Sequence, residues 1–428
     1  MRPNSSLRAW RLLTIITAYF PSSLTLKPYI LQYLGDNADD WQRPYHGTAR
    51  ICQTNMIQTF KYGGRKVLLN ALEVQQITDG SQLRRQAFFI SREHSVNQTL
   101  RPIAVVEEMI QELCSLLNVR SLHEQQEFSL CYTVGKGGSF ETCIFEWSLI
   151  LEKRLNYCKN DSYLMDIITE CEHKKLPFQF HLKRTVWVHP LRYDNAAYID
   201  SMFDQLIDDY LRGSLISTNS LGQLTAATTE EIIKLAAYLF LLLPNDNAKR
   251  LTARKIRVYG VTQDTSSNCT QKCHRTQAST PGRDGDAYQS TTENVRWSNV
   301  FPKLRELLST WPLFGVLHYR LKSVVENGNQ LPEVILTINK SGIQLLQPKS
   351  REVFKQRNYD QVLMTIESVE SIRKTAYRIV RLVINTPEGE EALDIKTDEA
   401  DEISHLIGQY MFVTGGVEDR DRGSSTEL

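Results

Sequence analysis

The apolar residues of this chain change their spacing repeatedly. The period is helical over the first sixty residues, then mixed two- and four-residue to about residue 182. It is helical again through 199–308 and strand-like through 316–396, and a final helical stretch ends the pattern. No single layer of helices or sheet can bury so mixed a pattern, so the chain must fold as several units, and its 428 residues allow two to four of them. Hydrophobic residues at 41% and charged residues at 23% are enough to fill such cores. Fifty basic and forty-nine acidic side chains leave a net charge of +1, too little to hold a nucleic acid.

The first unit reads as helices. Leu7 to Leu34 is interrupted at Pro21-Ser22-Ser23, which predicts a turn between two helices, and a third amphipathic run spans Thr48 to Phe60. Arg2, Arg8 and Arg11 before Leu12–Phe20 imitate a secretion signal, but two threonines interrupt the run and no small-residue cleavage site follows. No apolar stretch approaches the roughly 20 residues a membrane span requires. The eight scattered cysteines read as reduced, buried thiols.

Gly63-Gly64 among Lys61, Arg65 and Lys66 reads as a linker, 61–84. Beyond it, Arg85–Ile90 and Ser95–Leu100 pattern as a hairpin, and Ile103, Val106, Ile110, Leu113 and Leu117 form one helical stripe. Strands are expected at Phe128–Val134, Thr142–Trp147 and Phe178–Leu182, with a helix at Asp161–Cys171. A hairpin, a packed helix and later strands suggest a ubiquitin-like module over 85–190. Helical patterning over 191–311 predicts an all-helical lobe. Between Thr262 and Asn294 there is no Ile, Leu, Val, Phe or Met, so that insertion is expected to remain unstructured. From 312 to 414, strands at Val316–Lys322, Val334–Asn339, Ile343–Leu346, Val362–Ile366, Tyr377–Ile384 and Ala392–Lys396 precede a helix from Asp398 to Val413. A mostly antiparallel sheet capped by one helix is expected there, of the pleckstrin-homology or phosphotyrosine-binding type. Residues 415–428 read as a flexible tail.

Chemistry-bearing clusters are few. Gly135-Lys136-Gly137-Gly138 lacks the Gly-Lys-Ser/Thr context of a phosphate loop and reads as a turn. Cys269, Cys273 and His274 lack a nearby fourth ligand for zinc. His173, His181 and His189 near Asp166, Asp194 and Cys171 have no nucleophile elbow or oxyanion-loop signature. No catalysis, cofactor or metal is expected. Lys61, Arg65, Lys66, Arg84 and Arg85 are the candidate contact for an anionic lipid or an acidic tubulin tail.

The order of modules resembles a FERM domain preceded by part of a myosin tail homology 4 (MyTH4) domain. Trp10-Arg11-Leu12-Leu13-Thr14, Ala18-Tyr19-Phe20-Pro21-Ser22 and Leu26-Lys27-Pro28-Tyr29 look like the second half of MyTH4, over 1–60. Phe60-Lys61-Tyr62-Gly63-Gly64-Arg65 resembles the junction to FERM, while Val106 to Cys114 and Pro312-Leu313-Phe314-Gly315 resemble its first-lobe helix and third-lobe entry. The nearest resemblance is to class XV unconventional myosin tails, lacking a motor domain and the first half of MyTH4. It implies a multidomain α+β cargo-binding tail, cytoplasmic and cytoskeleton-associated at the cell cortex or actin-based protrusions. A free-standing FERM adaptor joining membrane phosphoinositides or receptor tails to the cortical cytoskeleton is the alternative. The resemblance also implies a peptide groove formed by Tyr377, Ile379 and Arg381 on a strand and by Ile403, Ile407 and Tyr410 on the last helix. The terminal Thr426-Glu427-Leu428 has the form of a PDZ ligand: an apolar pocket takes Leu428, backbone N–H groups take its carboxylate, and the Thr426 hydroxyl adds a hydrogen bond.

Overall fold

The computed structural model describes residues 3–79, 84–91, 94–135, 155–192, 195–211, 313–321, 323–348, 352–372, 375–387 and 389–423. It also describes positions 230–232, 234, 235, 303, 306 and 311. The strand expected at Thr142–Trp147, the insertion 262–294 with Cys269, Cys273 and His274, and most of the helical pattern between 212 and 310 lie outside the described residues. The chain divides into two compact units, Met1–Lys183 and Arg184–Leu428.

The first unit begins with three helices: α1 (Pro3–Tyr19), α2 (Lys27–Asp39) and α3 (His46–Tyr62). The turn predicted at Pro21 separates the first two. Leu34, Cys52 and Met56 form their buried centre, with Trp10, Leu13, Ile30, Leu31 and Phe60 packed around it. A polar seam fixes α1 against α3. Asn55 Nδ2 donates to Thr14 O at 2.9 Å, and Thr59 Oγ1 donates to Thr17 O at 2.7 Å. Each bond satisfies a group that burial would otherwise strand at a cost of about 1–3 kcal/mol. The stretch expected as a linker contains a fourth helix, α4 (Ala71–Asp79).

A five-stranded mixed sheet follows, built from β1 (Arg84–Phe89), β2 (Ser95–Leu100), β3 (Phe128–Val134), β4 (Asn156–Tyr157) and β5 (Phe178–Arg184). Its order is β2-β1-β5-β3-β4. The hairpin β1–β2 is antiparallel, and β1 runs parallel to β5. Between β2 and β3, α5 (Val106–Leu116) buries Val106, Met109, Ile110, Leu113 and Cys114, residues spaced by three, one, three and one, which is one helical face. After the single turn α6 (Leu122–Gln125) and strands β3 and β4 comes α7 (Leu164–His173). Ala18, Ile103, Val105 and Tyr163 form a further buried cluster, with Tyr19 and Tyr62 against it, and join the end of α1 to the sheet segment.

The second unit opens with Arg184 and α8 (Ala196–Leu211). Its sheets are β11-β10-β9-β6 and β12-β13-β14-β7-β8. The first comprises β6 (Leu317–Leu321), β9 (Val334–Asn339), β10 (Gly342–Leu346) and β11 (Val353–Arg357). The second comprises β7 (Val324–Glu326), β8 (Asn329–Gln330), β12 (Val362–Ile372), β13 (Thr375–Thr386) and β14 (Gly389–Lys396). α9 (Ala400–Gly423) buries Ile403, Leu406, Ile407, Tyr410 and Val413 in the core that both sheets share. Sequence reading missed β7, β8 and β11, which are short or lie on charged stretches. β11 is held by charge: Lys355 pairs with both Glu326 and Glu391, and Arg357 Nη2 lies 2.6 Å from Glu391 Oε2, tying β11 in one sheet to β7 and β14 in the other. Gly342 occupies a tight turn at φ +116°, where an added Cβ would lie 2.1 Å from Arg357 O.

Because Ile407 is fully buried in this core, Ile407→Ala should cost about 2–5 kcal/mol of stability. Phe354→Ala, at a side chain 46% exposed, should stay within about 0.5 kcal/mol of the native chain. Urea titration of the two variants measures the difference.

Candidate binding surfaces

The basic residues read from the sequence as one anionic contact have different environments. Arg65 is buried, 4% exposed. Its Nε lies 2.9 Å from Asp166 Oδ1, its Nη1 pairs with Glu73, and its guanidinium carbon lies 5.1 Å from the centre of the Tyr19 ring. Burial pulls the guanidinium pKa down, but the Glu73 and Asp166 carboxylates outweigh that effect and hold it above its ordinary value. Arg65 is therefore a buried structural cation, unlike the exposed lysines beside it. The glycines beside it have different reasons: a Cβ on Gly64 would lie 1.9 Å from Tyr19 O, whereas Gly63 sits at φ +84° and its carbonyl accepts from Tyr163 Oη at 2.7 Å. Lys66 is exposed, while its backbone N–H donates to Asp166 Oδ2 at 2.7 Å. Lys61 is exposed and sits over the Tyr62 ring at 4.5 Å. Arg84 forms an ion pair with Glu172 at 2.5 Å, and Arg85 is exposed.

A cavity of about 830 Å³ lies in the first unit, among α1, α3, α4 and the β1–β2 hairpin. Six arginines line it, Arg11, Arg50, Arg65, Arg84, Arg85 and Arg101, against one carboxylate, Glu73. Sequence reading missed Arg11, Arg50 and Arg101 as partners of Arg84 and Arg85, because they are up to 90 positions apart and only folding brings them together.

The groove expected in the second unit is also differently built. Ile403, Ile407 and Tyr410 are fully buried and belong to the core. Tyr410 stacks on Tyr359 with ring centres 5.2 Å apart and planes 7° from parallel. Ile379 is half-buried, and Arg381 is exposed and bidentate to Asp394 on β14 at 2.6 and 2.7 Å. The side chain of Tyr377 lies outside the described residues. Strand β13, which carries these three residues, pairs with β12 on one side and β14 on the other. It has no open edge. Among the described residues the sheet ends at β12 on one side and at the two-residue β8 on the other, and β12 is the longer edge an added strand could use.

His181 is buried, with Nε2 3.3 Å from Thr133 Oγ1, and burial first, then the Lys183 charge, pushes its pKa down to about 3. The thiols of Cys52 and Cys114 are buried and their pKa values raised by that burial, Cys52 to about 12, so they are poor nucleophiles. Thr426, Glu427 and Leu428 lie outside the described residues. Among those residues, no helix is long and apolar enough to cross a membrane.

Residues 1–76 match the MyTH4 domain family, past the expected boundary at residue 60 and into α4. The chain is similar to human unconventional myosin-XV, with 22% identity over 96% of this chain and 11% of that protein. It is also similar to human unconventional myosin-XVB, with 26% identity over 58% of this chain and 7% of that protein. It thus spans about a tenth or less of the length of these curated relatives. The fold matches the Dictyostelium discoideum myosin VII MyTH4-FERM MF1 domain, with a TM-score of 0.60, 13% identity, and 95% of this chain and 75% of that one covered. It also matches the human myosin 7b C-terminal MyTH4-FERM domain in complex with harmonin-a PDZ3 domain, with a TM-score of 0.58, 15% identity, and 95% and 74% covered. Helices, mixed sheet and helix-capped sheets together define a MyTH4-FERM unit. The MyTH4 match and the class XV unconventional myosins among its curated relatives are what this chain is similar to.

Arg65→Met leaves the buried Glu73 and the partly buried Asp166 without their cation, so it should lower stability by about 3–5 kcal/mol, and adding Glu73→Gln should recover part of that loss. Urea midpoints of the single and double variants give the comparison. His181 binds a proton more weakly in the folded state than in the unfolded one, where its pKa is about 6.5. As pH falls below 6.5 the unfolded state gains the proton first, so stability should drop, by about 2 kcal/mol at pH 5 from this residue. A His181→Gln variant should lack that part of the decline when stability is measured at pH 7 and pH 5.

Proposed function

We propose that this chain is the cargo-binding tail of an unconventional myosin, holding protein partners for transport on actin, with no catalysis of its own. The observation that carries the reading is the MyTH4 match joined to a MyTH4-FERM fold over nearly the whole chain. The free-standing FERM adaptor is disfavoured because such a protein has no need of the MyTH4 helices.

Two surfaces serve the partners. At the first, an extended peptide adds a strand to β12, the open edge of the sheet next to α9, through backbone hydrogen bonds. At the second, Thr426-Glu427-Leu428 enters a PDZ domain. The human myosin 7b relative is seen in complex with the PDZ3 domain of harmonin-a, and a ligand-like terminus on this chain supports the same class of partner. A cytoskeleton-associated location at the cell cortex or in actin-based protrusions follows from this role.

Affinity capture with the full chain and with a chain lacking Leu428 tests the second surface. Removing Leu428 deletes the apolar anchor and moves the carboxylate, so PDZ-protein recovery should fall at least tenfold. Equal recovery from both chains removes the PDZ contact from the proposal.

A further inference from the structure

The sheet of the first unit also has an edge. Among the described residues it ends at β2 on one side and at the two-residue β4 on the other. β2 pairs with β1 in a register that runs without a bulge from Arg84↔Leu100 to Phe89↔Ser95. At the turn, Ile90 N–H donates to His94 O at 2.9 Å, which makes Ile90 and His94 a hydrogen-bonded pair. In an antiparallel ladder such pairs alternate with pairs that exchange no hydrogen bond. His94, Val96, Gln98 and Leu100 therefore turn their backbone groups toward β1, while Ser95, Asn97 and Thr99 turn theirs away from it. Ser95, Asn97 and Thr99 are all exposed.

Proteins commonly blunt such an edge with a lysine, a proline, a bulge or a covering element. Ser95-Val96-Asn97-Gln98-Thr99-Leu100 contains no charge and no proline. An edge left in this state is a template for another strand.

The spacing around Asn97 says which strand fits. A two-fold axis perpendicular to the sheet keeps each face of the sheet on its own side, so residues set opposite each other must share a face. With the axis at Asn97, Asn97 faces its own copy, Ser95 faces Thr99 and Thr99 faces Ser95. Every outward N–H and C=O of these residues then meets a partner. The side chains match as well, amide against amide and hydroxyl against hydroxyl. In the sequence, Glu93 stands four positions before Asn97 and Arg101 four positions after it, so the same register sets an acidic position against a basic one at both ends. Arg101 is exposed, and Glu93 lies outside the described residues. A second copy supplies this complementary order by symmetry, whereas a strand from another protein would have to carry it independently.

From this we infer that β2 pairs with β2 of a second copy of this chain, antiparallel and centred on Asn97, so that the two sheets join into one. The ladder is short and polar, at the small end of protein interfaces, and the pairing is therefore reversible and set by chain concentration. It uses neither β12 nor the C-terminus, and it stands or falls independently of the partners proposed for them.

Sedimentation velocity of the full chain, from about 1 to 200 μM, measures the pairing. The wild-type chain should pass from monomer to dimer across that range. Asn97→Lys places like charges on the two-fold axis, and Arg101→Glu sets Glu93 against a second carboxylate, so each should weaken the dimer at least tenfold. Adding Glu93→Arg to Arg101→Glu restores opposite charges and should return the dissociation constant to within about threefold of wild type. Arg120→Glu makes an equal charge change at an exposed position between α5 and α6, and it should change the constant less than about twofold. Asn97 and Arg101 are exposed, so the urea midpoints of their variants should stay native. A chain that stays monomeric at every concentration overturns the inference and leaves the β2 edge to a strand from another protein. A dimer that tolerates Asn97→Lys or Arg101→Glu, or that the charge exchange fails to restore, overturns it by placing the contact elsewhere.

Discussion

A single buried cation organises the first unit. Arg65 reaches Asp166 at the start of α7, Glu73 on α4 and the face of Tyr19 at the end of α1, while its backbone N–H donates to Ala18 O at 3.0 Å. Three segments far apart in sequence are thereby held around one guanidinium. Such a group is stable inside a protein only when its charge and donors are answered, and two carboxylates and an aromatic face answer them here. The tail-homology helices and the sheet that follows are consequently fastened together instead of being hung on a flexible linker.

The second unit uses a comparable device at its own beginning. Arg184 is fully buried, with Nη1 donating to Tyr198 Oη at 2.8 Å, Nη2 to His189 O at 2.7 Å, and its guanidinium 5.0 Å from the Trp187 ring centre. Trp187 meets Phe314 edge-on at 5.4 Å, and Gly315 is needed there because a Cβ would lie 2.6 Å from Trp187 Cδ1. Tyr410 Oη lies 3.5 Å from Thr185 O, so the last helix is tied to the chain's entry into this unit.

The two strand edges proposed as contacts take their selectivity from different sources. An added strand at β12 draws on backbone groups that any sequence would present, so its selectivity must come from side chains around the edge. The β2 edge takes its selectivity from its own spacing, because turning the strand about Asn97 sets each residue against a fixed partner in the second copy.

Much of the architecture was legible in the order of residues. Spacing alone located α1 to α3, the β1–β2 hairpin, α5, the long strands of the second unit and α9, because in each the apolar period matches one buried face. The terminal Thr-Glu-Leu is likewise a property of the chain itself. Arg65 and Arg184 could not be read the same way, since a lone arginine after Gly-Gly and one beside a lysine look like solvated charges until their carboxylate, hydroxyl and carbonyl partners are placed around them. Ile403, Ile407 and Tyr410 show the same limit: periodicity says that a face is apolar, but only packing says whether a core or a ligand covers it. Local patterns set what each segment can become, whereas burial, strand neighbours and the meeting of distant charges arise from long-range contact and were decided by the tertiary structure.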